Sequence, residues 1–373
     1  MTAPLHDRRS FVTGEAGQDE FARAMLGDEP ETEPEWFDAG PTVRLGKVAM
    51  ACDVEVVLNP EDNGFLSVAS AALDRIDEAE SLYSVYRPET ELSCLNREAP
   101  NGPVEVSPEL YALLKRAREF ADRTDGAFSP TSGPLVALWR RFRSEGRLPL
   151  DEELATALEL SDLRNVQFDD MKSTIAFMRP GVSLHLNAMG KGAALEPAVE
   201  LLETAGCSSC LLHAGYSSVV ARGDRSGGLP GSHRDCGSGW LCGIRNPLLA
   251  HRRLATLRLC DQALSTSGNG AQWYRVGDRR IGHLFDPRTG QPVEHALSVS
   301  VVAPDGAMAE ALSTAFFVLG VEKASRHCHN SGSVGCVFVP PPTHGRLLEP
   351  VVIGLTPEQI RFEESEVARV HWM

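Results

Sequence analysis

The sequence predicts an α+β fold in which mixed or antiparallel sheets are flanked by helices. Two long segments in the first half, 65–83 and 107–121, repeat apolar residues at helical spacing, whereas short β-rich runs dominate the second half. Strands and helices do not alternate as they would in a parallel α/β protein. No repeat with a period of roughly 20 to 50 residues is present, which excludes a solenoid or a propeller.

The first half begins with a segment that lacks an apolar period. Residues 1–43 are rich in Glu, Asp, Pro and Gly, and we expect them to form an acidic, partly disordered extension. A strand is predicted at 48–58, followed by an amphipathic helix at 65–83. A second helix is predicted from the N-cap Ser107 to the stop at Gly126.

The second half is predicted to be rich in strands. A short helix begins at Asp151, a further helix covers 308–319, and a short final helix is expected at 358–364. A Gly-Lys-Gly turn opens a helix at 190–202. Residues 223–239 show no period and are typical of a surface loop. The predicted strands are 182–186, 210–213, 219–221, 253–260, 281–285, 297–303 and 334–339.

Charge and hydropathy limit the possible partners. The chain has 373 residues and a formal net charge of −15, which argues against nucleic acid or an anionic membrane as the main partner. No run of about 18 apolar residues occurs, so no membrane span is expected. An Arg-Arg pair lies near the N-terminus, but no apolar stretch follows it as an export signal requires. The sequence therefore predicts a cytoplasmic protein.

The nine cysteines do not form the pattern of a disulfide framework. Cys207 and Cys210 form a single C-x-x-C without a second pair, which leaves a metal or redox pair as the alternative to small buried residues. Buried residues are favoured, because cysteine is among the most frequently buried residue types.

Glu310 and Thr314 are the first candidates for chemistry. They lie four residues apart on a predicted helix, so their side chains project from the same face. A carboxylate and a hydroxyl on one face are a plausible partial site for Mg²⁺, which completes its octahedron with water and phosphate oxygens. Ser313 lies beside them. The alternative is a solvated glutamate and a threonine that bonds to its own helical turn.

Two turns offer further candidate sites. The turn 190–192 provides backbone N–H groups, a helix N-terminus and the Lys191 ammonium, which together suit a diphosphate, although a plain tight turn would use the same residues. The segment from His283 to Gly290 places a polar turn after a strand. Either His283 and Asp286 face a ligand, or the turn only links two strands.

Six segments, in this order, resemble the ApbE family of FAD:protein FMN transferases, and the resemblance spans about residue 47 to residue 355. They are SVYRPETELSCLN (84–96), DGAFSPTSGPLVALW (125–139), NAMGKGAALE (187–196), LSTSGN (264–269), HLFDPRTGQP (283–292) and AEALSTAFFVLG (309–320). The resemblance implies a two-lobed α+β fold with a flavin cleft between the lobes. It places the transferase domain at 44–365 and a C-terminal tail at 366–373.

The resemblance also implies a reaction. FMN would pass from FAD to a Ser or Thr hydroxyl of an acceptor protein, with Mg²⁺ on the pyrophosphate and release of AMP. The metal would be held by Glu310, Thr314, Ser313 and the backbone carbonyl of Ala188. The residues expected to contact FAD are Met50, Tyr86, Ala127, Phe128, Ser129, His185, Lys191, His283 and Phe285. Tyr86 and Phe128 would be available for ring stacking, while Lys191 and His185 are the candidate catalytic residues.

The chain departs from the usual family pattern at several of these positions. Cys52 and Ser129 stand where Thr and Asp are usual, and His185 occupies the position of an Asp. The metal-site Asp is Glu310, one methylene longer. Three hypotheses remain open: an active transferase, a relative that binds FAD or hydrolyses it to FMN and AMP, and a non-enzymatic scaffold.

Overall fold

The computed structural model describes residues 41–225, 239–269, 273–276, 279–343 and 345–373. Residues 1–40 of the predicted extension at 1–43 lie outside the described ranges, and so do residues 226–238 of the predicted loop at 223–239. The described chain contains helices and largely antiparallel sheets, so the predicted α+β class is confirmed.

The described part of the chain contains eight α-helices. They are α1 Leu66–Tyr83, α2 Glu91–Glu98, α3 Pro108–Arg123, α4 Gly133–Glu145, α5 Asp151–Leu160, α6 Gly190–Thr204, α7 Gly306–Leu319 and α8 Val321–Ser331. The helices predicted at 65–83, 107–126, 190–202 and 308–319 and the helix predicted to begin at Asp151 are confirmed. The Ser107 side chain caps α3 by accepting a hydrogen bond from the Leu110 amide.

Seventeen strands accompany these helices within the described ranges. They are β1 Val43–Ala49, β2 Cys52–Leu58, β3 Val104–Glu105, β4 Val166–Asp169, β5 Thr174–Phe177, β6 Cys210–Ala214, β7 Ser218–Arg222, β8 Trp240–Arg245, β9 Arg253–Leu259, β10 Gln262–Gly268, β11 Trp273–Val276, β12 Arg279–Gly282, β13 Ser298–Ala303, β14 Gly335–Val339, β15 Val351–Ile353, β16 Ile360–Phe362 and β17 His371–Trp372.

A nine-stranded sheet organises the described fold. Its order is β1-β2-β6-β7-β10-β13-β14-β15-β17, and neighbours are antiparallel except for the parallel pair β15 and β17. Alternate residues of the strands point to opposite faces, so the sheet carries two cores. One core joins the sheet to the helices, and the other joins it to the small sheet β16-β9-β8. The site described below lies on the helical face.

Three predicted elements were wrong. The strand predicted at 48–58 is the end of β1, a turn at Met50 and Ala51, and β2. Both turn residues have positive φ, at 52° and 59°, although neither is the Gly or Asn that usually marks such a turn. Residues 182–186 join no sheet, because the Asn96 side chain bonds both the N–H and the C=O of Leu184. The helix predicted at 358–364 is replaced by the edge strand β16.

The C-terminal segment is packed onto the fold. Glu366 is buried and accepts a 2.6 Å hydrogen bond from Asn246 and an ion pair from Arg252. Strand β17 pairs with β15. The boundary predicted at 365/366 therefore falls within a packed region, and the boundary predicted at 43/44 falls at the first residue of β1.

Five of the described cysteines are buried free thiols, among them Cys207 and Cys210, as the sequence predicts. Cys52 and Cys94 are free and half-buried, and Cys260 is disulfide-bonded. None of the helices in the described ranges combines the length and the apolar character of a membrane span.

Candidate active site

Two helix N-termini meet at the centre of the site. The first turn of α6 crosses the first turn of α7 so closely that a Cβ added at Gly192 would lie 2.1 Å from the Gly306 carbonyl oxygen. Glycine at both positions permits this backbone contact. At Gly190, by contrast, the nearest atoms to an added Cβ lie 3.8 Å away. Gly192 is thus required by the helix crossing.

The backbone amides of the 190–192 turn are already partly used. The Gly190 amide donates to the Leu186 carbonyl at 2.6 Å, and the Gly192 amide donates to Glu310 Oε2 at 2.7 Å. The expectation that the amides of both glycines are free for a diphosphate was therefore wrong. The Lys191 ammonium remains the group of this turn that can meet a phosphate by charge.

Glu310 is buried at the junction of α6 and α7, with only 5 % of its surface exposed. Its Oε1 lies 3.6 Å from the Lys191 ammonium, which also donates to Ser217 Oγ at 2.6 Å. Burial raises the pKa of Glu310, while Lys191 and the Gly192 amide oppose that rise. Of the alternatives considered for Glu310, a solvated glutamate is excluded, because the carboxylate faces the start of α6.

Three hydroxyl groups meet about one helical turn after Glu310: those of Ser313 and Thr314 on α7 and that of Ser267 on β10. Ser267 Oγ of β10 is 2.8 Å from Ser313 Oγ and 3.1 Å from Thr314 Oγ1. Ser313 is fully buried and donates to the Glu310 carbonyl at 2.9 Å, whereas Thr314 is half-buried. Thr314 does not bond to its own turn but faces a neighbouring strand.

The donor set fits a hard cation that keeps several water or phosphate ligands. Glu310 supplies one carboxylate, Thr314 a hydroxyl, and half-buried Ala188 stands two residues before α6. Within the described ranges no three His, Cys, Asp or Glu side chains are grouped as a complete metal site would require. Magnesium is the common ion that binds with so few protein ligands, because it retains water and takes phosphate oxygens.

The turn between β1 and β2 reaches the start of α6. The Met50 amide donates to Glu80 Oε2 at 2.8 Å, and Met50 Cε lies 4.0 Å from a Cβ added at Gly190. Cys52 follows in the same turn. Burial raises the pKa of its thiol to about 11, and the charges of Lys191 and Glu310 also act on it. The sequence identified Cys52 only as a departure from the family pattern, although its place beside Met50 was a usable signal.

Tyr86 and His185 form a second group. Their rings meet edge to face with centroids 6.0 Å apart, the Tyr86 hydroxyl accepts from Asn187, and the Arg140 guanidinium lies 5.8 Å from the Tyr86 ring centroid. Tyr86 is 50 % exposed. Burial and the charge of Arg140 lower the pKa of His185 to about 4.

The side chains of residues 127–129 differ in burial and in the neighbours they contact. Ala127 and Phe128 are buried, and the Phe128 ring packs edge to face against Phe120 at 6.2 Å. Core packing therefore occupies the ring that the sequence offers for stacking, and the Phe128 amide donates to Thr124 Oγ1 at 3.2 Å. Ser129 is half-buried, and its hydroxyl lies 2.9 Å from Thr131 Oγ1.

The turn after β12 is held by Asp286. Its carboxylate accepts from the Arg288 amide at 2.9 Å and from the Arg288 guanidinium at 2.7 Å. Of the two alternatives given for this segment, the contacts support a structural one for Asp286, whose side chain stabilises the turn. His283 is exposed, and Phe285 is half-buried in an isolated bridge with Pro292. The turn stands beside the 127–129 segment, since a Cβ at Gly126 would lie 3.5 Å from Arg288 Cγ.

Contacts in the structure thus bring Met50, Lys191 and Glu310 together around the start of α6 and pair Tyr86 with His185. Thr314 is connected to the Glu310 backbone carbonyl through Ser267 and Ser313. The sequence assigned no individual role to four further side chains that lie beside these groups. They are Cys52, Arg140, Ser217 and Ser267. Ser267 and Arg140 lie in or next to segments that carry the family resemblance, but a linear motif does not reveal which of its side chains meet.

A separate concave region lies at the far end of α7. It encloses about 320 Å³ and is lined by Arg123, Leu319, Lys323, Arg326 and His327, among others. Arg123 is the last residue of α3, and cations at the C-terminal end of a helix complement its dipole. Glu310 and Leu319 are nine residues apart on α7, roughly 13 Å along its axis. This region is distinct from the candidate site.

Comparison with known proteins agrees with the geometry. The sequence profile of the ApbE family matches residues 50–338. The FAD:protein FMN transferase of Treponema pallidum is 32 % identical over 282 residues, which cover 73 % of this chain and 77 % of that protein. That of Escherichia coli strain K12 is 28 % identical over 265 residues, covering 69 % and 72 %.

Solved structures give the same result. The crystal structure of the ApbE protein from Thermotoga maritima aligns with a TM-score of 0.70 and 27 % identity, covering 87 % of this chain and 98 % of that one. The flavin transferase ApbE from Vibrio cholerae aligns with a TM-score of 0.69 over 84 % of this chain and 97 % of that one. At 23 % identity, this second likeness shows the fold alone.

Proposed function

The chain belongs to the ApbE family, and we propose that it is an FAD:protein FMN transferase that moves FMN from FAD to a Ser or Thr hydroxyl of an acceptor protein. In this reaction the acceptor oxygen bonds to the phosphorus on the FMN side. The pyrophosphate bond breaks, AMP leaves with the bridging oxygen, and the hydroxyl proton passes to a base. The observation that carries the proposal is the placement of Lys191 and Glu310 together at the start of α6.

Lys191 and Glu310 would have different electrostatic roles at this position. The Lys191 ammonium, 3.6 Å from Glu310 Oε1, provides a cation for the diphosphate. Glu310, fixed by the Gly192 amide, and Thr314 would hold Mg²⁺ together with the Ala188 carbonyl. Bound there, the ion would neutralise the charge that develops on the phosphate oxygens. Ser313 is assigned a supporting role, because its proton and its position are taken by contacts inside the fold.

The remaining candidate residues would orient the substrate. Half-exposed Tyr86 offers a ring face to the flavin, with His185 behind it. Met50, Phe285, His283 and the 127–129 segment (Ala127, Phe128 and Ser129) would complete the FAD site. His185 is uncharged at pH 7, so it is open to accept a proton, but a pKa of about 4 makes it a weak base. A group on the acceptor is the alternative base.

The three hypotheses are separated by one incubation with FAD, Mg²⁺ and an acceptor domain that a related transferase flavinylates. A fluorescent flavin band on a denaturing gel, lost when the metal is chelated, supports the transferase. Release of AMP without the band supports a hydrolase. Absence of FAD binding in a titration leaves the scaffold. The Ser or Thr hydroxyl as acceptor group and the cytoplasmic location stay predictions of the sequence.

A further inference from the structure

We propose that Ser267 is a positioning residue, which orients the Thr314 hydroxyl so that its oxygen lone pairs face the cation. The proposal rests on the proposed function, because it presumes that Thr314 is a ligand of a divalent ion. It assigns a role to a side chain that would not itself touch the metal.

The position of Ser267 follows from the strand that carries it. In β10, Ala263 belongs to the helical-face core and Leu264 to the opposite core, so Ser265 and Ser267 point toward the helices. Thr266 points the other way and pairs with Ser300 at 2.8 Å. Ser267 is therefore directed at α7, where it reaches two consecutive residues of the helix, Ser313 and Thr314.

The directions of these hydrogen bonds follow from counting protons, because each hydroxyl can donate only one. Ser313 donates its proton to the Glu310 carbonyl at 2.9 Å. In the 2.8 Å contact between Ser267 and Ser313, Ser267 must therefore be the donor. The Ser267 proton is then used, so Thr314 must donate in the 3.1 Å contact with Ser267. The chain runs from Thr314 to Ser267, then to Ser313 and to the Glu310 carbonyl.

This order decides which hydroxyl is suited to bind a cation. A neutral hydroxyl binds a metal through a lone pair, so its proton must point elsewhere. Thr314 turns its proton toward Ser267, and it forms no further hydrogen bond within the described ranges. Ser313 accepts from Ser267, donates to Glu310 and is fully buried. Thr314 is therefore the ligand of the two, and Ser313 anchors the relay.

Without Ser267, the Thr314 hydroxyl loses the acceptor that fixes its rotamer and its proton. Loss of an outer-shell partner of a metal ligand typically weakens metal affinity by 10–100-fold. Since Thr314 would be one neutral ligand among several, we expect the lower end of that range for Ser267→Ala, roughly 10-fold.

The test measures metal binding directly. Mn²⁺ replaces Mg²⁺ as an electron-spin-resonance probe, titrated into full-length protein saturated with FAD and free of acceptor. Ser267→Ala is expected to bind Mn²⁺ roughly 10-fold more weakly than the parent, while FAD affinity in metal-free buffer stays the same. Ser267→Thr retains the hydroxyl and is expected to bind Mn²⁺ close to the parent level. Ser300→Ala is the matched control, since it removes a paired hydroxyl on the adjacent strand that faces the other way.

The outcomes distinguish a failure of the role proposed for Ser267 from a failure of the proposed function. Equal Mn²⁺ affinity in the parent and Ser267→Ala would overturn the role of Ser267 and leave the proposed function intact. A Ser267→Thr variant that folds but binds as weakly as Ser267→Ala would also overturn it. If the parent itself binds no Mn²⁺, the cation site of the proposed function fails, and the inference fails with it. Should Ser267→Ala not fold, Ser267→Cys keeps the volume with a poorer hydrogen-bond acceptor and is expected to show the same loss of affinity.

Discussion

Gly192 and Gly306 touch backbone to backbone, since a Cβ on Gly192 would lie 2.1 Å from the Gly306 carbonyl oxygen and one on Gly306 would lie 2.5 Å from the Gly192 carbonyl oxygen. The contact fixes how the first turns of α6 and α7 cross. It thereby places Lys191 of one helix beside Glu310 of the other. The geometry of the candidate site depends on this crossing.

Gly192→Ala is expected to destabilise the protein by more than about 2 kcal/mol, because the methyl group meets backbone atoms that cannot rotate away. That cost exceeds the roughly 1 kcal/mol that alanine gains over glycine inside a helix. Urea unfolding followed by circular dichroism measures the difference. Gly190→Ala is the matched control and should leave stability unchanged or slightly raised, since its Cβ has 3.8 Å of room. Equal stability of the two variants would show that the helices separate at little cost.

Glu310→Ala is expected to lower metal-dependent flavin transfer by more than about 100-fold, since a direct ligand contributes at least as much as the outer-shell partners of metal ligands. The rate of flavin attachment at saturating FAD is the measurement. Glu322→Ala removes an exposed glutamate from α8 and should keep the parent rate. Unchanged activity of Glu310→Ala, with its fold verified by a melting curve, would remove Glu310 from the mechanism.

His185 is expected to stay uncharged throughout the physiological pH range, because burial and Arg140 lower its pKa to about 4. Nitrogen chemical shifts of its imidazole should show no titration above about pH 6. Arg140→Met removes the nearby cation, so the pKa of His185 should rise in that variant. A parent His185 that titrates near pH 6.5 would contradict the burial and charge that the structure assigns to it.

Protein stability is expected to fall between about pH 5 and pH 7 through Glu196. Burial and the charge of Asp305 raise the pKa of Glu196 to about 7, although the Ala307 amide and Arg116 favour its ionised form. In this window the folded state holds a proton that the unfolded chain has lost, so stability decreases as pH rises. The loss stays below about 4 kcal/mol, at 1.36 kcal/mol per pKa unit for a rise from 4.5 to about 7.

Glu196→Gln should flatten this pH dependence, because glutamine still accepts from the Ala307 amide and carries no charge. The free energy of unfolding, measured in urea at pH 5 and pH 7.5, tests this. Glu200→Gln on the exposed side of α6 is the control and should keep the parent slope. A parent protein that becomes more stable from pH 5 to pH 7.5, with no change in Glu196→Gln, would refute the role of Glu196.

Apolar periodicity and the order of the motifs were sufficient to predict the class of the fold and most of its long helices. Helices α1 and α3 were predictable because their apolar residues recur at helical spacing and because Ser107 and Pro108 mark the start of α3. The family followed from six short segments in a fixed order. Lys191, Glu310 and Thr314 could be named as site residues on the same basis.

Local signals failed where distant residues decide the conformation. The hairpin turn at Met50 and Ala51 lacks turn-forming residues, and it is held by Glu80 of α1 through the Met50 amide. Residues around Leu184 have a strand-like sequence but bond to the Asn96 side chain, which comes 88 residues earlier. A window of neighbouring residues contains neither partner, so no pattern within it could have predicted these outcomes.

The working arrangement of the site was decided by the tertiary structure alone. The bond between the Gly192 amide and Glu310 spans 118 residues, and that between Ser267 and Thr314 spans 47. These contacts exist because a helix crossing and a sheet bring together groups that the sequence keeps far apart. Residue type and spacing therefore determined which chemistry is available, whereas the path of the chain decided that Lys191 pairs with Glu310 and that, in the described part of the chain, the Thr314 hydroxyl meets only Ser267.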